Sequence, residues 1–79
     1  MIKLNVFNMN AFLKVVNECT GPVYLLADDG KKVNLHRNEF IQLDLRSKHI
    51  ANKRSISLSL DTPQTKDYMN LVFFSIGDY

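Results

Sequence analysis

The sequence predicts a small α+β domain in which helices cover one face of a β-sheet. Residues 55–60, SISLSL, alternate serine with Ile or Leu, which is typical of a strand with one buried and one solvated face. Segments of this kind are interspersed with segments of helical spacing, in the order β-α-β-β-α-β-α. Because helices must cover the apolar face of such strands, we expect a two-layer open-faced sandwich with a four-stranded, mainly antiparallel sheet.

Length and composition indicate one globular domain over residues 1–79. Of the 79 residues, 46% are hydrophobic and 23% are charged, as in ordinary globular proteins. The net charge of +2 is too small to require a nucleic acid or a membrane surface as partner. The longest strongly apolar run, LVFF, is far shorter than the roughly 20 residues that span a bilayer. Cys19 is the single cysteine and can form no internal disulfide, so we expect a soluble protein of the reducing cytoplasm.

The first strand is predicted at residues 2–6, where apolar and polar residues alternate. Phe7 falls on the polar face of that pattern. Asn8 and Asn10 are both suitable N-caps for a helix, because a short side-chain oxygen can accept a free backbone N–H. The helix should end at the TGP of residues 20–22, since Gly and Pro terminate helices. Its apolar stripe comprises Phe12, Val15, Val16 and Cys19.

A hairpin is predicted in VYLLADDGKKVNL, residues 23–35. Asp29-Gly30 is favoured in two-residue type I′ turns, because both central residues of such a turn need positive φ. That turn would set Asp28 opposite Lys31 and would direct one set of side chains to the core. This set is Tyr24, Leu26, Val33 and Leu35, whereas Val23, Leu25, Asn34 and His36 would form the other, mixed face.

The segment NEFIQLDLRS, residues 38–47, fits either a helix or a strand. Asn38 is a suitable N-cap and Glu39 suits a first helical turn. Helical spacing relates Phe40 to Leu43 and Ile41 to Leu45, but Ile41, Leu43 and Leu45 also alternate as in a strand. We interpret the segment as a short helix that is followed by a basic loop at residues 48–53.

The last helix is predicted to begin after Thr62, a suitable N-cap, with Pro63 at the first helical position. Gly77 should end it. The predicted buried stripe comprises Met69, Val72, Phe73 and Ile76, widened by Tyr68 and Leu71.

This order of elements, their lengths and the closing helix resemble HPr, the histidine-containing phosphocarrier protein of the bacterial sugar phosphotransferase system. The resemblance covers nearly the whole chain: a capped first helix, a DG-type hairpin, a middle helix with EFIQL, an alternating fourth strand and a long closing helix. It implies an HPr-like fold in a bacterial protein. It also implies that partners bind the corner after the first strand and the middle helix, at residues 7–13 and 40–50.

The resemblance does not extend to the phosphotransfer motif. In HPr the phosphoryl-accepting histidine follows the first strand, and an arginine comes soon after it. Here that corner reads FNMNAF, residues 7–12, and contains neither residue type. The regulatory serine of some family members falls near Asn38 and is absent as well. The chain therefore resembles HPr-like proteins without the phosphocarrier motif, and we expect no enzymatic activity and no cofactor.

Two histidines leave alternative hypotheses open. His36 lies beside Arg37, and His49 lies in the basic segment RSKHIANKR, residues 46–54. Either could be a displaced phosphoryl acceptor, or simply a solvated histidine. The basic segment could also contact an RNA backbone, but no aromatic residue is interleaved with its charges to stack on bases, so nucleic acid is the less favoured partner.

The main hypothesis is a non-catalytic HPr-like binding or regulatory module that contacts a protein. Met9 could dock a partner or could fold back onto Leu13 as a hydrophobic staple, and we favour the staple. The aspartates have no metal-ligand spacing with the histidines, so no metal site is predicted. The predicted partner-binding residues are Phe7, Met9, Arg46, Lys48, His49 and Ile50.

Overall fold

The structure, a computed structural model, describes residues 2–27 and 29–77. The described residues form four strands and three helices in the predicted order β-α-β-β-α-β-α. These elements are β1 (Ile2–Val6), α1 (Met9–Glu18), β2 (Tyr24–Leu26), β3 (Lys32–Asn34), α2 (Glu39–Ala51), β4 (Ile56–Asp61) and α3 (Thr65–Ile76).

The strands form one antiparallel sheet with the spatial order β1-β4-β2-β3. The strand β4 lies between β1 and β2, where Leu58 pairs with Leu4 and Leu60 pairs with Leu25. Each of these pairs places two leucines on the same face of the sheet. The predicted α+β open-faced sandwich is confirmed.

The core lies between one face of this sheet and the helices. Along β1, buried and exposed residues alternate without interruption, as the sequence predicts. The opposite face is open: Lys3, Asn5 and Ser57 are exposed, and Ser57 donates a hydrogen bond to Asn5. On the buried face α1 and α3 contact each other, and the rings of Phe12 and Phe74 lie 5.7 Å apart. Removal of these apolar side chains from water is the main stabilising contribution.

The predicted hairpin forms, but its register differs by one residue from the prediction. The N–H of Ala27 donates to the carbonyl of Lys31 at 2.9 Å, so three residues, not two, separate the paired positions. Gly30 has a φ of +84°, which glycine adopts readily at the end of such a loop. Asp28, predicted to face Lys31, lies outside the described residues. The core face carries Val23, Leu25, Val33 and Leu35, and the predicted placement of Tyr24 and Leu26 on that face is wrong.

The middle segment is a helix, and it is longer than predicted. Asn38 is its N-cap and accepts a hydrogen bond from the N–H of Ile41 at 3.4 Å. Residues 48–51 belong to the end of α2, so the predicted loop at residues 48–53 is wrong for them. Lys53 and Arg54 then adopt φ values of 59° and 60°, in the left-handed region.

The last helix begins two residues later than predicted, with Gln64 as its N-cap. Thr62 is buried instead, and its hydroxyl donates to the carbonyl of Pro22 at 2.9 Å. Gly77 ends the helix as predicted. The buried stripe also differs from the prediction. Its members are Asp67, Leu71 and Phe74, with Tyr68 and Val72 partly buried, whereas Met69, Phe73 and Ile76 are exposed.

Candidate protein-binding surface

The corner between β1 and α1 is capped by Asn8. Its side-chain oxygen accepts a hydrogen bond from the N–H of Ala11 at 3.0 Å, which satisfies one of the free donors of the helix. Asn10, the other predicted cap, lies in the first helical turn. The two apolar neighbours of Asn8 differ in environment: Phe7 is 58% exposed, whereas Met9 is 5% exposed. Met9 therefore packs in the core, and Phe7 is the side chain that a partner can reach.

The end of α2 lies against this corner. His49 is 5% exposed, and its Nε2 atom lies 3.1 Å from the carbonyl oxygen of Phe7. Because a carbonyl oxygen can only accept a hydrogen bond, Nε2 donates the proton. One turn earlier, Arg46 donates to the side-chain oxygen of Asn10. The prediction of His49 as a loop residue is wrong: it is a buried helical residue that joins α2 to the corner.

These contacts surround a depression of about 380 Å³, which we call the corner depression. It brings together five of the six predicted partner-binding residues, and Lys48 is the exception. Arg54 belongs to the basic segment but not to the predicted contact set, and it lines the depression as well. The lining residues are Phe7, Asn8, Met9, Asn10, Arg46, His49, Ile50 and Arg54.

An apolar ridge continues from the depression along α2. Phe40 is 87% exposed, and Leu43 and Ile50 are each 61% exposed. Their spacing places them on one side of the helix, whereas Leu45 on the other side is buried. We call Phe40, Leu43 and Ile50 the α2 ridge. The helical spacing of Phe40 and Leu43 is visible in the sequence, but spacing alone does not determine which side of a helix is buried.

Charges of both signs border the α2 ridge, since Glu39 and Arg46 line one groove with Leu43. Within residues 2–27 and 29–77, neither Arg46 nor Arg54 forms a salt bridge. The ammonium group of Lys48, in contrast, lies 2.9 Å from the carboxylate of Asp44 and is largely neutralised by it. Exposed apolar side chains beside two unneutralised guanidinium groups are complementary to a protein surface that combines carboxylates with apolar side chains.

A second cluster of titratable groups lies where α1 leads into β2. Asp67 is fully buried and accepts hydrogen bonds from the N–H groups of Thr20 and Gly21, both at 2.9 Å. Burial opposes ionisation of this carboxyl, but these hydrogen bonds outweigh burial and hold its pKa below the ordinary value of 3.8. His36 is partly buried, and its Nε2 atom lies 2.8 Å from the carbonyl oxygen of Cys19. His36 is therefore partly exposed to solvent and is held by one contact within the fold.

The thiol of Cys19 in this cluster is poorly suited to nucleophilic chemistry. Cys19 is 3% exposed, and its sulfur donates to the carbonyl of Val15 at 3.3 Å. Burial, followed by the nearby charges of Asp67 and Glu18, raises its pKa to about 11. The reactive thiolate is therefore scarce at neutral pH. The polar contacts of this cluster hold the loop between α1 and β2.

The corner depression and the α2 ridge are the strongest candidate site in the described part of the chain. Among those residues, no three or more His, Cys, Asp and Glu side chains are grouped so that they could hold a metal ion. None of the described helices combines the length and the apolar character needed to cross a membrane. Comparisons of the chain with protein-family models, curated proteins and solved structures found no match.

Proposed function

We propose that this protein is a non-catalytic, HPr-like binding or regulatory module that docks a protein partner at the corner depression and the α2 ridge. The observation that carries the proposal is the exposure of three large apolar side chains, each more than half exposed, beside two unneutralised arginines. Covering apolar surface stabilises a complex by about 25 cal/mol for each Å² that is buried. The arginines would favour partners that present carboxylates.

The burial of His49 and the sequence of the corner support a role without phosphotransfer. His36 uses Nε2 in a hydrogen bond to the carbonyl of Cys19, and His49 uses Nε2 in a hydrogen bond to the carbonyl of Phe7, so Nδ1 is the unprotonated nitrogen of each ring. The imidazole of His49 is 5% exposed, which limits the access of a phosphoryl donor to it. The corner of residues 7–12 supplies no histidine of its own. The element order, shared with HPr, supports the likeness in fold that the proposal assumes.

One observation favours a second candidate, a phosphocarrier that uses His49 as a displaced phosphoryl acceptor. His49 lies beside the N-terminal end of α1, and Arg46 and Arg54 line the same depression. Helix N-termini and guanidinium groups both stabilise phosphate. Because Nε2 donates its proton to Phe7, Nδ1 would have to accept the phosphoryl group, and the ring that carries it is 5% exposed.

Intact-mass measurement separates these two candidates. The protein and its His36→Ala and His49→Ala variants are incubated with phosphoenolpyruvate and a bacterial Enzyme I, with authentic HPr in the same tube as positive control. We expect phosphate on the authentic HPr and none on this protein. A phosphate that is added to the wild type and lost in His49→Ala would contradict the proposal and assign the displaced acceptor.

The docking surface is tested by photo-crosslinking. One variant carries a photo-reactive amino acid at Leu43. A second carries it at Lys32, an exposed control position outside the docking surface. Proteins that each variant captures are identified by mass spectrometry. The affinity of the protein captured at position 43 is then measured for Ile50→Asp and Arg46→Glu. We expect each variant to bind at least about tenfold more weakly, because contacts at the centre of an interface dominate its affinity. Equal capture from both positions, or unchanged affinity in both variants, would count against the proposal.

Nucleic-acid binding through residues 46–54 has less support. Lys48 is paired with Asp44 at 2.9 Å, and no aromatic residue is interleaved with the charges of this segment to stack on bases. Titration of a fluorescent single-stranded RNA at increasing salt tests this alternative. We expect weak binding throughout, whereas a steep loss of affinity with salt that disappears in Arg54→Ala would favour RNA as the partner.

A further inference from the structure

Helix α3 exposes three large apolar side chains on the side opposite to the core. Met69 is 41% exposed, Phe73 is 59% exposed and Ile76 is 75% exposed. Their spacing places them along one side of the helix, whereas Leu71 and Phe74 face the core. We call Met69, Phe73 and Ile76 the α3 stripe. None of these residues lines the corner depression, so the stripe is a separate surface.

The α3 stripe is large for a chain of 79 residues. A large apolar side chain presents roughly 150–250 Å² when fully exposed, so the stripe leaves on the order of 300 Å² of apolar surface in water. A patch of this size is comparable to the largest apolar patch on a typical monomer, which is often functional. Two stripes packed together with their flanking residues would bury on the order of 1,000 Å² in total, which is the size of a weak, reversible interface.

The charge pattern around the stripe suits a second copy of the same chain. Residues 68–77, YMNLVFFSIG, contain no charged residue, and the charge nearest to Phe73 is that of Glu18 in α1, which lines a pocket with it. Lys66 lies in the first turn of α3, and the last turn of α3 has no basic residue. In an antiparallel pair, Lys66 of each copy lies near the partial negative charge at the C-terminal end of the other α3. The stripe itself carries no charge, and Lys66 of each copy adds one attraction at its end.

Other occupants of the stripe fit less well. Helices that lie on membrane surfaces usually carry several Lys or Arg residues on their polar face, whereas Lys66 is the single basic residue of α3. Self-association through the corner depression is also disfavoured, because Arg46 and Arg54 would meet the same charges on a second copy.

We propose that the α3 stripe is the interface of a symmetric dimer, in which the α3 helices of two copies pack antiparallel across a two-fold axis. In this arrangement the two Phe73 rings lie near the axis, and Met69 of each copy packs beside Ile76 of the other. Because an interface of this size is weak, the expected dissociation constant is on the order of 10–100 µM.

Sedimentation equilibrium of the full chain tests the dimer. Over concentrations from about 5 µM to about 1 mM, the apparent mass of the wild type should rise from one chain toward two. Phe73→Glu and Ile76→Glu should each raise the dissociation constant at least about tenfold, since each buries an unpaired charge at the interface. Lys66→Glu should raise it about two- to fivefold through the loss of the contact with the helix end. Leu43→Glu is the matched control on the α2 ridge and should dimerise like the wild type.

Circular dichroism of each variant checks that the fold is retained, and Ile76→Ser replaces any glutamate variant that does not fold. A wild type that stays monomeric up to about 1 mM would overturn the proposal. So would a dimer that Leu43→Glu dissociates while Phe73→Glu leaves it intact. Cosedimentation of the monomer with anionic phospholipid vesicles, lost in Phe73→Glu, would assign the stripe to a membrane surface and would also overturn it.

Discussion

The Nε2 atom of His49 lies 3.1 Å from the carbonyl oxygen of Phe7, and this hydrogen bond joins the end of α2 to the corner between β1 and α1. The two residues are 42 positions apart in the chain. Near the other end of α1, the side-chain nitrogen of Gln42 in α2 donates to the side-chain oxygen of Asn17 at 2.8 Å. Within the corner depression itself, the polar contacts between α2 and the corner are those of His49 with Phe7 and of Arg46 with Asn10.

Replacement of His49 by alanine should destabilise the fold. The variant leaves the carbonyl of Phe7 without its partner and a gap where the ring was buried, so we expect the free energy of unfolding to fall by about 2 kcal/mol. Lys48→Ala is the control, because Lys48 is exposed and its ion pair with Asp44 contributes less than about 0.5 kcal/mol. Urea denaturation of both variants measures the difference. Equal stability of the two would show that the His49 contact contributes nothing.

Replacement of Asp67 by asparagine should also destabilise the protein. The buried carboxylate accepts hydrogen bonds from Thr20 and Gly21, and an amide would turn an NH₂ group toward one of these donors. We expect a loss of about 2–3 kcal/mol, because hydrogen bonds to a charged acceptor are strong and the introduced NH₂ group would be buried against a donor. Asp44→Asn, at an exposed position of α2, should change stability by less than about 0.5 kcal/mol. Thermal or urea unfolding distinguishes these outcomes.

The carboxylate of Asp67 also makes the free energy of unfolding depend on pH in acidic solution. Because the pKa of Asp67 in the folded protein lies below its ordinary value of 3.8, the unfolded chain binds the proton first. The contribution of Asp67 is therefore fully present above pH 3.8 and is lost as the pH falls through the lower, folded-state pKa. Urea midpoints measured between about pH 2 and pH 6 should fall more steeply for the wild type than for Asp67→Asn. Parallel curves for the two proteins would contradict this assignment.

Cys19 should react slowly with thiol reagents in the native protein. Its pKa is raised to about 11, first by burial and then by the charges of Asp67 and Glu18, and the residue is 3% exposed. We expect the rate of modification by a disulfide reagent at about pH 8 to be at least a hundredfold below the rate in denaturant. An exposed cysteine introduced at Lys14 provides the fast native control. A native rate for Cys19 equal to that control would show that the thiol is accessible.

Replacement of Lys53 by glycine should stabilise the protein. Lys53 is exposed and has a φ of 59°, a conformation that costs a residue with a Cβ atom more than it costs glycine. We expect a gain of about 0.5–1 kcal/mol, reduced by the greater freedom of glycine in the unfolded chain. Lys48→Gly, inside α2, should instead lose about 1 kcal/mol. A loss of stability in Lys53→Gly would show that the side chain makes a contact that offsets its backbone strain.

The sequence correctly predicted the strands and helix caps that depend on residues close together in the chain. The alternation in β1 and β4 is confirmed, because each strand has one face on the core and one in water. Asn8 and Asn38 cap their helices as predicted, since an N-cap bond spans three residues of the same segment. These signals depend on near neighbours in the chain, and a sequence displays near neighbours directly.

Predictions that depended on distant partners were wrong. The turn sequence favoured a two-residue hairpin, but β2 also pairs with β4, where Leu25 faces Leu60. That pairing, together with the burial of Val23 and Leu35, decides which face of the hairpin is in the core. The face of α3 was misassigned for a similar reason. Asp67 is buried because Thr20 and Gly21 supply hydrogen-bond donors across the fold, and hydrophobic spacing carries no sign of them.

The sequence by itself determined the order of the seven elements, the one-sided sheet and the lack of a histidine at the corner of residues 7–12. Periodicity and capping are sufficient for those conclusions, because they report the local backbone and its exposure. Only the tertiary structure decided the register of the hairpin, the buried sides of α2 and α3, and the meeting of His49 with Phe7. These features arise when segments far apart in the chain compete to bury apolar area and to satisfy polar groups, and that competition is settled only in the packed fold.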